Sequence, residues 1–206
     1  MKKTFNWWMD QVQDETYAFL NNAFTPDECR QIIDTGNNEY LSEHATAKVG
    51  HLGNLIVDEN VRKCELSWIR SDCPDNHWIF QRLVSAVDHL NKKFFNFDLQ
   101  YIESLQFTKY EEETELDKNG GFYKPHVDLM WNSTGTRKLS FSVQLSDPDT
   151  YQGGELIMNA RSNDDLVTKD HGTLVAFPSY VLHEVTPVTK GVRYSLVGWT
   201  VGPKFK

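Results

Sequence analysis

From Asp98 onward the chain is cut into short stretches of alternating polarity, and this pattern limits the possible folds more than any other feature. The stretches are LQYIESLQFTKY, FYKPHVDLMW, RKLSFSVQLSD, GGELIMNA, GTLVAFPS, VLHEVTPV and VRYSLVGWTV. Turn residues stand between them: Asn119-Gly120-Gly121, Asp147-Pro148-Asp149, Gly153-Gly154, His171-Gly172 and Lys190-Gly191. Alternation of period two places every second side chain on one face, and no helical pattern intervenes. Many short strands at this spacing predict an antiparallel sandwich or barrel.

The N-terminal half reads differently. Thr25, Pro26 and Glu28 form the start signal of a helix, with a capping box and proline at the first helical position, and Gly36 is its stop. Over 76–95, Trp78, Phe80, Leu83, Val84, Val87, Leu90 and Phe94 recur at helical spacing. Residues 41–60, with Gly50 and Gly53, read as an irregular loop. VRKCELSWI (61–69) alternates and reads as one strand. The expectation is therefore one domain over 1–206, with helical support in 1–97 packed on a β core over 98–203.

Composition narrows the function. The formal net charge of −8 argues against non-specific nucleic-acid binding, which needs Lys and Arg to neutralise phosphates. Cys29, Cys64 and Cys73 make neither a disulfide framework nor a CxxC metal knuckle, and fit a reducing compartment. The N-terminus lacks the apolar run of a signal peptide, and no stretch approaches the roughly 18 apolar residues of a membrane span. The expected location is cytoplasmic. Trp7-Trp8 reads as a packing anchor or an oligomer contact, and the acidic run Glu111-Glu112-Glu113 with Glu115 as a solvated loop.

His126 and Asp128, two apart on a predicted strand, share a face. A third ligand must come from elsewhere, and the candidates are His171 and His183. His171 sits in a polar turn, whereas His183 opens a short apolar strand and is the better choice. Two His and one carboxylate with open positions suit non-haem Fe(II). The open positions can take a bidentate 2-oxo acid and dioxygen. Arg193 and Ser195 then share a strand face, where guanidinium and hydroxyl can both bond one distal carboxylate.

On these residues the chain resembles the Fe(II)/2-oxoglutarate-dependent oxygenases, and within them the prolyl 4-hydroxylase branch. The resemblance covers roughly residues 60–200 and rests on His126-Val127-Asp128, Gly153-Gly154-Glu155-Leu156, His183 and Arg193-Tyr194-Ser195, in that order. It implies a mainly β (α+β) chain with a double-stranded β-helix core, a jelly roll of cupin-like form, and N-terminal helices packed on one sheet. It implies Fe(II), 2-oxoglutarate and O2, with ascorbate as a candidate reductant. The implied reaction couples decarboxylation of 2-oxoglutarate to succinate and CO2 with C–H hydroxylation of a prolyl residue in a peptide or protein, the procollagen or peptidyl-proline 4-hydroxylase type.

The same resemblance makes Tyr110, Gln144 and Ser195 co-substrate contacts beside Arg193, and puts Trp199 near iron and substrate. It makes 41–62 a substrate-covering lid with Arg62 as a substrate contact. No catalytic residue beyond the iron ligands is expected. Animal oxygen-sensing relatives carry a tyrosine near Gln144, so the carboxylate pocket here is built differently, with Ser195 compensating. A halogenating group replaces the iron-binding carboxylate by a small residue; the presence of Asp128 argues against halogenation. Two alternatives remain: the same chemistry on a free amino acid, a small metabolite or another side chain, and a non-enzymatic metal-binding jelly roll.

Overall fold

The computed structural model describes residues 16–51, 54–114, 120–132, 135–158 and 165–205. Trp7-Trp8, Glu115 and Asn119 lie outside the described residues. Helix α1 (Pro26–Gly36) begins as its sequence predicts. Thr25 Oγ1 accepts from the Glu28 N–H at 3.2 Å, and Glu28 Oε2 accepts from the Thr25 N–H at 2.8 Å. Two N–H groups left over at the helix start are thereby satisfied. Cys29 and Ile32 form its buried face. Helix α2 (His77–Leu90) buries Ile79, Leu83, Val87 and Leu90 and runs on into a π-turn, Asn91–Phe95. That turn ends at Asn96 in the left-handed conformation (φ 52°). No described helix is long and apolar enough to cross a membrane.

Two larger antiparallel sheets and two two-stranded ladders, Gln152–Gly153 with Val188–Lys190 and Val49–His51 with Asn54–Ile56, carry the rest. Across the major sheet the order is Ala18–Leu20, Leu174–Pro178, Gly135–Gln144, Val192–Gly202, Tyr101–Glu111, Glu65–Ile69 and Ser42–Ala45. The minor sheet runs Asp165–Leu166, Leu156–Met158, His183–Val185, Phe122–His126 and Arg62–Lys63. This is the double-sheet jelly roll that the alternating stretches predict, with helices on one sheet.

Both faces of the major sheet are buried, and they differ in chemistry. Leu139, Phe141, Val143, Leu105, Phe107 and Leu196 pack with α1 and α2 in one apolar core. The inner face carries Ser140, Ser142, Gln144, Thr108, Ser195 and Arg193, all buried. Cross-strand register aligns Gln144 with Ser195, Ser195 with Thr108, and Arg193 with Tyr110. A second apolar cluster, including Tyr110, Met158, Phe177, Val185 and Val188, lies on this inner side. Burying so many polar groups costs free energy unless they find partners, so the inner face is where a polar ligand would be stabilising.

Two sequence expectations change. VRKCELSWI is not one strand: Arg62–Lys63 pairs with Phe122 and Tyr123 in the minor sheet, and Glu65–Ile69 pairs with Tyr101–Glu111 in the major sheet. Alternation runs unbroken through both pieces, so it cannot reveal that the chain changes sheets at Cys64. The 41–60 stretch is not wholly irregular, since it contains Ser42–Ala45, Val49–His51 and Asn54–Ile56. Ser42–Ala45 is an edge strand, largely polar, and an edge needs no apolar period to pair. The N-terminal half therefore supplies strands to both sheets as well as helices.

Candidate metal centre and carboxylate pocket

Phe122–His126 and His183–Val185 are neighbours in the minor sheet, with His126 directly opposite His183. Opposed residues share a face, and the two ring centroids lie 4.2 Å apart. Asp128 follows just past the strand end, where its N–H donates to the Ser179 carbonyl at 3.0 Å. Its carboxylate oxygens sit 3.8 Å from His126 Nε2 and 3.5 Å from His183 Nε2. One ligand atom from each of the three residues lies within 4.8 Å of the others.

Both rings are held the same way. His126 Nδ1 is 2.8 Å from the Lys124 carbonyl, and His183 Nδ1 is 3.0 Å from the Val181 carbonyl. A carbonyl only accepts, so each Nδ1 carries the proton and each Nε2 presents a lone pair. Burial and the neighbouring His183 push the His126 imidazole down to about 4, so it is neutral at pH 7. Burial disfavours the Asp128 carboxylate, but His183, His126, Ser140 and Trp199 together hold it below its usual range. Two imidazoles held through Nδ1 and one ionised carboxylate, converging from one side, are a donor set suited to a divalent metal, Fe(II) among them.

Packing fixes the ligands further. Tyr123 stacks on His126 with centroids 3.5 Å apart, and Phe177 meets His183 edge-on at 4.6 Å. Trp199 is buried beside Asp128, and its indole N–H has no hydrogen-bond partner of normal geometry. The Arg137 guanidinium lies 3.9 Å from the Trp199 ring and is held by Glu103 at 2.7 Å. Arg62 stands 4.6 Å over Tyr123 and lines an open cleft of about 270 Å³ with Thr46, Ala47, Val57, Glu59 and Lys109.

Deeper along the inner face, Arg193 is only 1% exposed. Nη2 donates to Gln144 Oε1 at 3.0 Å, while Nε and Nη1 have no partner. Among the described residues no carboxylate pairs with it. Its guanidinium lies 5.4 Å from the Tyr110 ring. Burial raises the Tyr110 phenol well above its ordinary range, so the hydroxyl stays protonated and can donate. A buried cation with unpartnered N–H groups is suited to a carboxylate.

The structure thus brings His126, Asp128 and His183 together, with Trp199 beside them, and groups Arg193, Ser195, Gln144 and Tyr110 as a second cluster. His171 stands apart from the triad in a turn. Arg62 reaches the metal centre only through Tyr123. Sequence reasoning missed Thr108, whose Oγ1 accepts from Gln106 Nε2 at 2.9 Å. Its spacing of two from Tyr110 was the available signal. It also missed Tyr151, and took Gly153-Gly154 as a plain turn.

Known proteins resemble the chain as follows. A model of the 2OG-Fe(II) oxygenase superfamily matches residues 105–201. A PKHD-type hydroxylase of Rippkaea orientalis is 35% identical over 187 residues, covering 87% of this chain and 76% of that protein. A PKHD-type hydroxylase of Synechococcus elongatus is 38% identical over 104 residues, covering 48% of this chain. In that relative the match spans under half of the length, 44%. Among solved structures, a Pseudomonas putida prolyl-4-hydroxylase superposes with a TM-score of 0.68 at 21% identity, covering 92% of this chain and 94% of its own. A Trichoplax adhaerens prolyl hydroxylase, in complex with a hypoxia inducible factor oxygen degradation domain peptide fragment, gives 0.69 at 18% identity, covering 91% and 84%.

Proposed function

Because the chain belongs to the 2OG-Fe(II) oxygenase superfamily, we propose that it hydroxylates a prolyl residue in a peptide or protein, at the expense of 2-oxoglutarate and O2. His126, Asp128 and His183 hold Fe(II) in this reading. Bound there, the metal supplies the coupling of 2-oxoglutarate decarboxylation, to succinate and CO2, with oxidation of a substrate C–H bond. The observation that carries the reading is one barrel interior holding both a His-Asp-His cluster and a buried Arg193 that lacks a carboxylate.

The residues divide the work. The Lys124 and Val181 carbonyls keep the Nδ1 protons in place, so both Nε2 atoms face the metal throughout. His183 and His126, with Ser140 and Trp199 beside them, keep Asp128 ionised. Arg193 takes the distal carboxylate of 2-oxoglutarate through its unpartnered N–H groups, with Ser195 and Tyr110 as hydroxyl donors. Gln144 acts on the other side of the guanidinium, accepting from Nη2 and so setting its plane. This differs from a direct co-substrate contact. Burial excludes water and strengthens each of these contacts.

The prolyl, polypeptide part rests on the names of the relatives and fold neighbours and on the open cleft beside Arg62. Thr46, Ala47, Val57, Glu59 and Arg62 line one wall of that cleft, where Arg62 is the candidate substrate contact. The test is incubation with Fe(II), 2-oxoglutarate, ascorbate and a panel of proline-containing peptides, read by succinate formation and peptide mass spectrometry. One added oxygen on a proline supports the proposal. Succinate without peptide oxidation refutes the prolyl substrate and moves the same chemistry to a small molecule or another side chain. No succinate under any condition refutes the activity and favours a metal-binding module.

A further inference from the structure

Tyr151 and the Gly153-Gly154 turn lie outside every role assigned so far, yet they meet at Arg193. Both glycines have left-handed backbones, with φ of 74° and 62°. A Cβ on Gly154 would sit 2.8 Å from Arg193 Cδ, 2.9 Å from Val188 Cγ2 and 3.4 Å from Tyr151 Cε2. One point in space is thus touched by the stem of Arg193 and by the edge of the Tyr151 ring, and only hydrogen fits there. Tyr151 is itself 4% exposed. Lys169 Nζ lies 4.4 Å from its ring and is anchored by the Gly153 carbonyl at 2.8 Å and Glu155 Oε1 at 3.2 Å. Glu155 is tied in turn to Thr186 by its backbone N–H at 2.8 Å. The turn, the lysine and the tyrosine therefore form one braced wall against the arginine.

We infer that Tyr151 is a positioning residue for Arg193: braced by Lys169 and given clearance by Gly154, it orients the guanidinium toward an incoming distal carboxylate. The geometry sets two constraints. The arginine stem cannot swing toward the turn, because the Tyr151 edge and the Val188 methyl border that space. The guanidinium is then fixed from two sides, by Gln144 at Nη2 and by the tyrosine. Burial raises the Tyr151 phenol and the neighbouring Arg193 charge opposes this without overcoming it, so the hydroxyl stays neutral beside the cation. A neutral hydroxyl holds the cation without neutralising it, so its charge is left for the ligand.

This inference rests on Arg193 being the 2-oxoglutarate anchor, and the experiment separates the two. Mn(II)-loaded wild type, Tyr151→Phe and Arg193→Met are titrated calorimetrically with 2-oxoglutarate and with pyruvate, which lacks the distal carboxylate. The expected result for Tyr151→Phe is about a tenfold weaker 2-oxoglutarate Kd, the scale of one hydrogen bond to a charged group. Its Kd for pyruvate and for Mn(II) stays within a factor of two or so on the same scale. Unchanged 2-oxoglutarate affinity overturns the positioning role, as does an equal loss for both keto acids, which would mean general damage. If wild type and Arg193→Met bind 2-oxoglutarate alike, the anchor assignment fails and the inference falls with it. In turnover, the KM for 2-oxoglutarate should rise in Tyr151→Phe with little change in kcat at saturation. A fall in kcat alone contradicts it.

Discussion

Replacing Arg193 by methionine separates what the residue does for the fold from what it does for a ligand. Its guanidinium is buried, gives one N–H to Gln144, and leaves Nε and Nη1 unpartnered. A buried donor without a partner costs about 1–3 kcal/mol. Methionine has a similar reach and no polar hydrogen, so it removes two orphans. It creates one, the Gln144 Oε1 atom, at a similar cost. With two orphans lost and one gained, the metal-free and ligand-free protein should gain about 1–3 kcal/mol. For a chain of this size each kcal/mol raises Tm by about 2–4 °C. Ligand binding moves the other way. Two charge-assisted hydrogen bonds to a carboxylate are together worth about 3–6 kcal/mol, or roughly 100-fold to 10,000-fold in Kd. Thermal melts of the apo proteins, and of the Mn(II) forms with and without 2-oxoglutarate, read both effects. The expected Arg193→Met protein melts higher than wild type alone and shows no 2-oxoglutarate-dependent rise. An apo Tm several degrees below wild type would make Arg193 a structural cation and refute the reasoning. So would a retained ligand-dependent rise.

Other outcomes follow from the same geometry. Asp128→Ala should weaken Mn(II) binding by more than the roughly 10–100-fold that loss of a supporting hydrogen bond costs a metal site; calorimetry showing less would remove Asp128 from the ligand set. Gly36→Ala puts a Cβ 2.3 Å from the Phe107 ring, so its urea midpoint should fall by the equivalent of about 1–3 kcal/mol, and an unchanged midpoint would contradict the packing. Glu28→Ala removes half of the capping box and should cost about 1 kcal/mol at pH 7. The Thr25 N–H, against burial and with help from Arg82, holds the Glu28 carboxyl below its ordinary range. Its contribution is therefore present above the unfolded pKa and is lost as pH falls through the folded one. The gap between wild type and variant should narrow as pH falls through the carboxylate range in denaturant titrations, and a gap that does not change with pH would refute the linkage.

How far the sequence reveals this molecule depends on whether a feature is local. The helix start at Thr25 was legible because its capping box runs only from Thr25 to Glu28, all visible together. His126 and Asp128 were legible for the same reason, since they stand two apart, although the strand ends at His126 and the Asp128 N–H bond to the Ser179 carbonyl helps to place the carboxylate. His183 and Arg193 lie far along the chain. They entered through a motif order, with the strand pattern saying only that each sat on a rigid element. The change of sheet at Cys64 was not legible. Arg62 and Glu65–Ile69 alternate in one continuous phase, and alternation reports a face without saying which sheet the face belongs to. Ser42–Ala45 was hidden because an edge strand, covered on one side by Glu65–Ile69, can keep polar side chains.

Gly153-Gly154 marks where that limit falls. Sequence identifies a turn there, and the left-handed backbones at both positions bear out the need for glycine. What it does not carry is the identity of the group that approaches Gly154, because Arg193 arrives from a strand on the opposite sheet. The same glycine thus meets two requirements at once. Its φ of 62° disfavours any side chain on backbone grounds, and Arg193 Cδ at 2.8 Å excludes one on steric grounds. These requirements can be pulled apart. A backbone requirement alone predicts that Gly154→Asn, a residue that tolerates this conformation, is milder than Gly154→Ala. A steric requirement predicts the reverse, since asparagine is larger and must displace the arginine stem. If 2-oxoglutarate affinity falls further in Gly154→Asn than in Gly154→Ala, the clearance at Arg193 is what that glycine supplies; the opposite ranking would reduce it to an ordinary turn residue.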